Sequence, residues 1–486
     1  MNDYQEKRWL ALVLLSAAQF VVVLDASIVN VALPSIGKAL DFSQENLSWI
    51  VNAYVLTFGG FLLLGGRTAD LLGRRRVFMA GLLLVAMASL AAGFAATEGQ
   101  LIAARAAQGL GAAIISPAAL SIVTTIFSDG AERNKALGVW GAVAGSGGAA
   151  GVLLGGILTD GLGWEWVLWV NVPVGLVAFA LAPRLIAESR ASDEARAFDV
   201  AGAVTVTAAL SLLVYTVVEA EDAGWGSGKT IGLFAIAAVL LAAFVLIELR
   251  ARKPLVPFSI FRIRTLTGAN VVGLLVGASL FSMFYFISLY MQQVLGYSAI
   301  HAGLSYLPLA LTIMASAGIA SGLVTKFGYK PILAAGLLFI VAGLTWFSQI
   351  SVGGGFTTDI LGPSLLAAVG LGFSFVTTTI AAVSGVEERE AGLASGLINT
   401  SQQIGGALGL AVLSSIATAH TTAFLADGDG GPKEALTEGF QIAFLGGAAI
   451  ALVGFALTLV LIRSSDSRAH VELGATAGAA AEGAEA

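Results

Sequence analysis

The chain has 486 residues, of which 57% are hydrophobic and only 12% charged, and its formal net charge is −6 at pH 7. Soluble globular proteins carry about 25% charged residues, so most of this sequence cannot face water. The acidic balance without basic tracts excludes a nucleic-acid-binding protein. The absence of cysteine excludes disulfides, thiolate metal sites and cysteine catalysis.

Windows of about 20 apolar residues predict fourteen membrane-spanning helices. An all-α integral membrane fold follows, because lipid offers exposed backbone groups no hydrogen-bonding partner. The first window is too long for the core of a signal peptide, so we expect it to remain as the first helix. The predicted spans are 9–32, 47–66, 77–96, 100–125, 137–158, 166–186, 199–219, 230–249, 268–291, 303–324, 331–350, 358–382, 397–419 and 439–462.

The distribution of lysine and arginine predicts the orientation of these spans. With both termini in the cytoplasm, nearly all of the 25 basic residues lie on the cytoplasmic side; the exceptions are Lys38, Lys229, Lys433 and Arg105. An error in the number of spans would move the basic residues of all later loops to the opposite side of the membrane and remove this bias. The last residues, rich in alanine, glycine and glutamate, have no apolar face to bury, so we expect a disordered cytoplasmic tail over 464–486.

Asp25 is the most informative residue of the first predicted span. It lies in the apolar run Leu10–Pro34, with no second charge near it. An ionised carboxylate at bilayer depth costs roughly 2.5–3.5 kcal/mol on insertion scales, and such residues usually belong to an ion or substrate pathway. The alternative is a carboxylate that only holds helices together through a salt bridge. We predict a functional acid.

The stretch GRTADLLGRRR at 66–76 follows the second predicted span. Its arginines could serve only as a cytoplasmic anchor. Its two glycines, however, allow a tight turn, and its aspartate can cap a helix or hold an arginine. We therefore predict a gating motif of Gly66, Asp70, Gly73, Arg74 and Arg75.

Arg105, in the fourth predicted span, is the only basic residue embedded in a span. At 1.5 Å per residue, Asp25 lies ~24 Å outward along its helix and Arg105 ~7 Å inward along its own. In a hydrocarbon core about 30 Å thick, both lie at similar depth in the outer leaflet, so we expect them to face a shared cavity. Protonation of Asp25 would weaken their pairing, and a cationic substrate could compete for the carboxylate. A permanent structural pair is the alternative.

The fifth predicted span is rich in glycine, with small-xxx-small spacing that predicts close helix packing. The thirteenth span is glycine-rich too, and the basic loop after span 2 has a degenerate counterpart, SGLVTKFGYKP, after span 10. If spans 7 and 8 are an insertion, these features fall at matching places in two six-helix halves, a common construction among transporters. The glycines that we assign to this seam are Gly147, Gly151, Gly155 and Gly156.

Several of these stretches resemble signatures of the drug:proton antiporters of the major facilitator superfamily, in the branch with fourteen helices. LDASIVNVALPSI at 24–36 is similar to the helix 1 signature, whose acid corresponds to Asp25. RAAQGLGAA at 105–113 is similar to the helix 4 motif, and 66–76 to the motif of the loop between helices 2 and 3. WEWVLWVNVPVG, YMQQVLGYSAIHAGLSYLP and AGLASGLINTSQQIGGALG also resemble branch signatures.

This resemblance implies a multidrug efflux transporter of the inner (plasma) membrane, which exports amphipathic, often cationic, compounds by alternating access against inward proton flow. It implies an N-terminal six-helix bundle over 1–190, linker helices 7 and 8 over 191–262, and a C-terminal six-helix bundle over 263–463. We expect a monomer that needs no cofactor beyond the proton gradient. Residues that could line its central cavity are Asn30, Tyr54, Gln108, Phe281, Phe284, Tyr285 and Gln292.

The chain departs from the family pattern in two places. The antiporter motif of helix 5 carries Gly-Pro where this chain has Gly151 and Val152, so we expect less bending there. Some relatives that handle dicationic drugs have a further acid in the C-terminal half, and the tenth span here has none. Proton coupling is therefore expected in the N-terminal half, and dicationic substrates are not.

Three other functions remain open at this point. An exporter of an endogenous metabolite or lipid precursor would carry the same signatures. A membrane enzyme would need a cluster of acids, bases or metal ligands at one depth, where only Asp25 and Arg105 qualify, and the three histidines are scattered without ligand spacing. A channel should show rings of polar residues rather than two repeated bundles. We predict neither an enzyme nor a metal site.

Overall fold

The computed structural model describes residues 7–42, 47, 49–127, 130–189, 199–251, 254–387, 390–428, 430–464 and 467, and every regular element within them is helical. The all-α fold is thus confirmed, whereas the predicted tail over 464–486 lies almost wholly outside the described residues. The α-helices are α1 (Arg8–Ala39), α2 (Trp49–Leu72), α3 (Arg74–Gly93), α4 (Glu98–Ile126), α5 (Ala131–Gly161), α6 (Trp166–Trp169), α7 (Asn171–Leu185), α8 (Val200–Ala223), α9 (Gly228–Arg250), α10 (Arg264–Leu289), α11 (Ala299–Ser305), α12 (Leu307–Phe327), α13 (Tyr329–Phe347), α14 (Leu361–Val383), α15 (Ala391–Asp427) and α16 (Pro432–Leu461).

Thirteen spans of the described chain are long and apolar enough to cross a membrane, and the bent helix α5 brings the number to fourteen if it counts as one span. The chain is therefore a multi-pass membrane protein, as its hydropathy predicts. One boundary needs correction, because the loop expected after residue 66 is helical as far as Leu72. Leucine and alanine favour helix, and the polar side chain of Asp70 is buried among protein partners instead of facing water.

Helix α5 bends by 43° between its segments Ala131–Gly148 and Ala150–Gly161. We expected less bending because the motif proline is missing, but glycine pairs are themselves a known cause of helix kinks. Beyond the bend, a Cβ atom at Gly155 would lie 2.6 Å from the carbonyl oxygen of Ile28. A larger residue would therefore push α5 away from α1, which accounts for glycine at this position.

The chain divides into two compact units. The first comprises Met1–Ser128, Leu154–Leu266 and Gly385–Thr400, and the second comprises Asp129–Leu153, Thr267–Ser384 and Ser401–Ala486. In the second unit, α14 packs against α12 and α13, and α16 packs against α13. The domain boundaries predicted from the sequence, at 190, 262 and 463, stay a prediction.

The first unit carries the candidate site. In it α4 packs against α1, α2 and α3, while α7 packs against α1 and α3. Helices α8 and α9, which the sequence assigned to a linker, pack on each other, and α8 also lies on α2. At that contact a Cβ atom at Gly60 would lie 2.0 Å from the hydroxyl of Ser211. Helices α1 to α4 and α7 thus surround one buried region of this unit.

Candidate functional site

Asp25 lies in this buried region of the first unit, with 1% of its surface exposed. Its Oδ2 atom accepts a hydrogen bond of 2.6 Å from Nη1 of Arg105, which is itself fully buried. The structure therefore brings together the two embedded charges that the sequence placed at similar depth. The two side chains form a direct ion pair, in agreement with the pairing expected from the sequence, and the shared cavity stays a prediction.

Two side-chain amides complete the coordination of the Asp25 carboxylate. Its Oδ1 atom accepts hydrogen bonds from Nε2 of Gln108, at 3.2 Å, and from Nδ2 of Asn171. Nε2 of Gln108 also donates to the hydroxyl of Ser89 at 2.7 Å. Each carboxylate oxygen thus receives N–H groups. Protein groups therefore surround the acid on these sides.

Arg105 has several neutral partners besides Asp25. Its Nε atom donates to the carbonyl of Ile50 at 3.0 Å, and Nη1 donates to Oε1 of Gln108 at 3.0 Å. Nη2 lies 3.4 Å from the carbonyl oxygen of Asp25. The guanidinium carbon also lies 4.5 Å from the centre of the Tyr54 ring, a cation–π distance. Arg105 is therefore held in place by more than its counterion.

Five helices supply these groups, and local sequence explains their positions. Arg105 and Gln108 are three residues apart on α4, so they share one face of the helix. Asn171 is the first residue of α7 and Ser89 lies near the end of α3. Tyr54, on α2, anchors α1 by donating its hydroxyl to the carbonyl of Val22 at 2.9 Å.

The predicted gating motif forms a second polar centre in the first unit. Asp70 is fully buried, and its Oδ1 atom accepts from Nε and Nη2 of Arg74 at 3.1 and 3.0 Å. The same carboxylate accepts from the backbone amides of Gly392 and Leu393, at 3.2 and 3.1 Å. These amides belong to the first turn of α15, so Asp70 places a negative charge at the positive end of that helix.

Other motif residues fix the start of α3. Gly73 adopts a φ of +111°, a conformation that favours glycine, and it breaks the chain between α2 and α3. The carboxylate of Glu188 then accepts from the backbone amides of Arg75 and Arg76 at 3.1 and 3.2 Å. Arg75 in turn donates to the carbonyl of Ile186 at 3.0 Å. Gly66 is not part of a turn, since it lies inside α2.

The remaining predicted residues do not form one group. Tyr54 and Gln108 belong to the Asp25 cluster, whereas Asn30, on the same helix as Asp25, is exposed. In the second unit, Phe281 and Tyr285 are each 39% exposed, Gln292 is exposed, and Phe284 stacks on Tyr306 with ring centres 5.6 Å apart. The helix 5 glycines Gly147, Gly151, Gly155 and Gly156 are all buried. The functional roles of all these residues stay a prediction.

Asn171, Ser89 and Glu188 were not among the residues singled out from the sequence. Asn171 offered a weak signal, since it is a lone amide at the start of an otherwise apolar stretch. Ser89 offered none, because single serines are common in spanning helices. Glu188 lies outside the predicted spans, in a segment where acidic residues are common, so its sequence position gave no signal. Each was found only when the fold brought distant segments together.

Comparison with known proteins settles the family. The family model described as Major Facilitator Superfamily matches residues 15–410. The chain belongs to the major facilitator superfamily. This is a family of transporters, so the expectation that the chain is not an enzyme is confirmed.

Characterised relatives are similar over nearly the whole chain. The cephamycin export protein CmcT of Amycolatopsis lactamdurans is 41% identical, over 93% of this chain and 92% of its own. The puromycin resistance protein pur8 of Streptomyces alboniger is 38% identical, over 94% and 92%. The multidrug transporter protein MdtP of Bacillus subtilis is 31% identical, over 87% and 78%.

Solved structures share the fold at low sequence identity. The human organic anion transporter MFSD10 superimposes with a TM-score of 0.66 at 17% identity, covering 93% of this chain and 99% of its own. The proton:xylose symporter XylE has a TM-score of 0.65 at 12% identity, covering 94% and 96%. These values support the major facilitator fold and carry no information about the substrate.

Proposed function

We propose that this protein exports amphipathic, drug-like compounds by alternating access and that each cycle is driven by protons moving in the opposite direction. The relatives named for cephamycin export, puromycin resistance and multidrug transport support the export of antibiotics or similar compounds. An exporter of an endogenous metabolite or lipid precursor would use the same machinery and is the alternative function.

The Asp25 cluster is the observation that carries proton coupling. Asp25 lies inside a membrane span with only 1% of its surface exposed. Binding of a proton would remove its negative charge, and such embedded acids usually belong to an ion or substrate pathway. Its ion pair with Arg105 is strong only while Asp25 is ionised, because the pair depends on opposite charges. Protonation therefore loosens the link between α1 and α4, and this change is the proposed coupling step.

The substrate is bound elsewhere than at this carboxylate. Both oxygens of Asp25 are occupied by Arg105, Gln108 and Asn171, so a cationic compound would have to displace an arginine to reach it. Asp25 then acts on the conformation instead of serving as a counterion for the drug. Under this proposal a positive charge on the substrate is not required for coupling.

The Asp70 centre is the proposed gate. Under the domain boundaries predicted from the sequence, the hydrogen bonds from Gly392 and Leu393 to Asp70 join the N-terminal bundle to the C-terminal one. Opening on that side must break them, while the ion pair of Asp70 with Arg74 can persist because both residues are close in sequence. Charge-assisted hydrogen bonds of this kind are roughly twice as strong as neutral ones.

The location of the protein follows from the same proposal. A proton-driven exporter must lie in a membrane that carries a proton gradient, which we propose is the cell inner (plasma) membrane. The distribution of lysine and arginine supports cytoplasmic termini. We also propose a monomer as the functional form, with protons and an amphipathic small molecule as ligands and no further cofactor.

The test is efflux of a fluorescent lipophilic cation, and separately of puromycin, from vesicles under an imposed pH gradient. Asp25→Asn keeps the size of the side chain but cannot exchange a proton at neutral pH, so we expect gradient-driven efflux to be lost while protein level and substrate binding remain. Asp160→Asn is the matched control, because Asp160 is an exposed acid at the end of α5. Full gradient-driven efflux by Asp25→Asn would refute the proposal.

A further inference from the structure

Asn171 is completely buried, yet only one of the two polar groups of its side-chain amide forms a hydrogen bond. Nδ2 donates to Oδ1 of Asp25, whereas Oδ1 of Asn171 has no hydrogen-bond partner. A buried acceptor without a partner is costly and calls for an explanation. The partner of this amide is the acid that is proposed to bind protons, which suggests that the free oxygen serves a second state of the site.

The contacts of Asp25 suit only its ionised form. An ionised carboxylate accepts hydrogen bonds, but a protonated one must also donate an O–H. The side-chain groups that contact its oxygens are N–H donors from Arg105, Gln108 and Asn171. Among the described residues, Arg105 and Tyr54 are the charged or titratable side chains that face it. A proton on Asp25 thus needs an acceptor that the present arrangement does not supply.

We propose that the amide of Asn171 rotates by about 180° when Asp25 binds a proton, so that Oδ1 of Asn171 accepts the new O–H of the acid. The oxygen and the NH₂ group of an amide are similar in size, so the rotation exchanges donor and acceptor without repacking. A hydronium ion delivers the proton through the transport pathway and becomes water as the O–H of Asp25 forms, and no other covalent bond forms or breaks. The proposal rests on the proposed role of Asp25 as the proton site.

Two neighbouring groups favour rotation of Asn171 over rotation of Gln108. Oε1 of Gln108 already accepts from Nη1 of Arg105 at 3.0 Å, and rotating that amide would place an NH₂ group against a guanidinium. The oxygen of Ser89 lies 3.5 Å from Nδ2 of Asn171. After rotation, the oxygen of Asn171 takes that place, where it accepts from the Ser89 hydroxyl as well.

Arg105 retains partners after Asp25 becomes neutral. Its bonds to the carbonyl of Ile50 and to Gln108 and its contact with the Tyr54 ring do not involve the charge of the acid. The guanidinium therefore stays hydrogen-bonded without its counterion, and the hydrogen bonds that are rearranged are those of Asp25, Asn171 and Ser89, while the attraction between Asp25 and Arg105 weakens. The structure assigns Asn171 as a positioning residue for both protonation states.

The test is an infrared difference spectrum of the whole protein between acid and alkaline pH, with and without ¹³C-labelled asparagine. We expect a carboxyl band that Asp25→Asn removes, and a side-chain amide band that shifts with the label and disappears in Asn171→Leu. Asn134→Leu removes another buried amide, which donates to Thr325 in the second unit, and should leave both bands unchanged. The labelled wild type needs no variant to fold.

The possible results separate the two proposals. A carboxyl band from Asp25 without a label-sensitive amide band would overturn the rotation and leave proton binding intact. No carboxyl band from Asp25 would overturn the proposed proton site, and the rotation with it. Both bands together, with the amide band lost in Asn171→Leu, support the inference.

Transport provides the second readout. Asn171→Leu removes a bond to the ionised acid and a weaker bond to the neutral one, so the ionised form loses more. We expect the midpoint of the pH dependence of efflux to move upward by about one pH unit. Asn134→Leu should leave the midpoint in place. An unchanged midpoint in folded Asn171→Leu protein would overturn the assignment.

Discussion

Replacing Arg105 by glutamine tests how strongly the protein depends on its embedded ion pair. Arg105→Gln removes the 2.6 Å bond to Asp25 and leaves that carboxylate with only neutral amide donors. Removing one partner of a buried ion pair costs about 3–5 kcal/mol, because the other charge stays buried without compensation. Arg105 is 0% exposed and Asp25 1%, so solvent does not screen this pair and the full range applies.

The penalty arises from the negative charge of Asp25, so removing that charge should remove the penalty. The double variant Arg105→Gln with Asp25→Asn has no unpaired charge and should recover most of the lost stability. The interaction energy of the double-mutant cycle then measures the coupling between the two side chains.

The assay is thermal unfolding of the purified protein in detergent, followed by tryptophan fluorescence. Arg76→Gln is the matched control, because the Arg76 side chain is 71% exposed and its pair with Glu188 spans 3.6 Å. Exposed pairs contribute roughly 0–1 kcal/mol, so this variant should melt close to wild type. A melting temperature of Arg105→Gln equal to that of wild type, or a double variant no more stable than the single one, would refute a dependence on the ion pair.

Two further variants test the gate and the helix packing. Asp70→Asn weakens the contact with the start of α15 by about 1.5–3 kcal/mol and should slow efflux in vesicles, while Arg76→Gln should not; equal rates for the two would contradict the gate. A Cβ atom at Gly109 would lie 2.3 Å from the carbonyl oxygen of Tyr54, whereas one at Gly99 on the same helix meets nothing within 4 Å. Gly109→Ala should therefore lower stability by about 1–3 kcal/mol and Gly99→Ala should not, and equal melting temperatures would show that α2 and α4 can move apart freely.

The number and type of helices could be predicted from the sequence because membrane depth imposes a length on every span. The rise per residue also converts sequence position into membrane depth, so the sequence alone placed Asp25 and Arg105 at a similar depth. Depth does not determine which faces of these helices contact each other. The pairing of the two charges was expected from their similar depth, but the atoms that join them and the amide partners around them became visible only in the structure.

Contacts between distant segments escaped prediction for a physical reason. Asn171 is 146 residues from Asp25, and Gly392 is 322 from Asp70. A single sequence holds no record of such pairings, because hydropathy and spacing report only on local periodicity. Helix ends were also misjudged where polar residues continue a helix, as at Asp70, whose partners inside the protein replace water.

Helix α5 illustrates the reverse error, in which a local rule was applied too strictly. The absence of proline led us to expect a straighter helix, but the helix bends by 43° within a run of glycines. Proline is one cause of bending among several. Glycine content near residues 145–151 was known from the sequence, and it was interpreted only as a packing surface.

Under the proposed proton coupling, the ion pair at Asp25 also determines how the membrane voltage acts on the protein. With Asp25 ionised, the charges of Asp25 and Arg105 cancel. A bound proton leaves the arginine charge uncompensated, so the loaded site carries one positive charge more than the empty one. A full charge crossing the membrane potential gains about 2.3 kcal/mol per 100 mV. If protons bind at Asp25 as proposed, the electrical part of the proton-motive force acts on the loaded site directly, and export is expected to continue where the two sides of the membrane have the same pH.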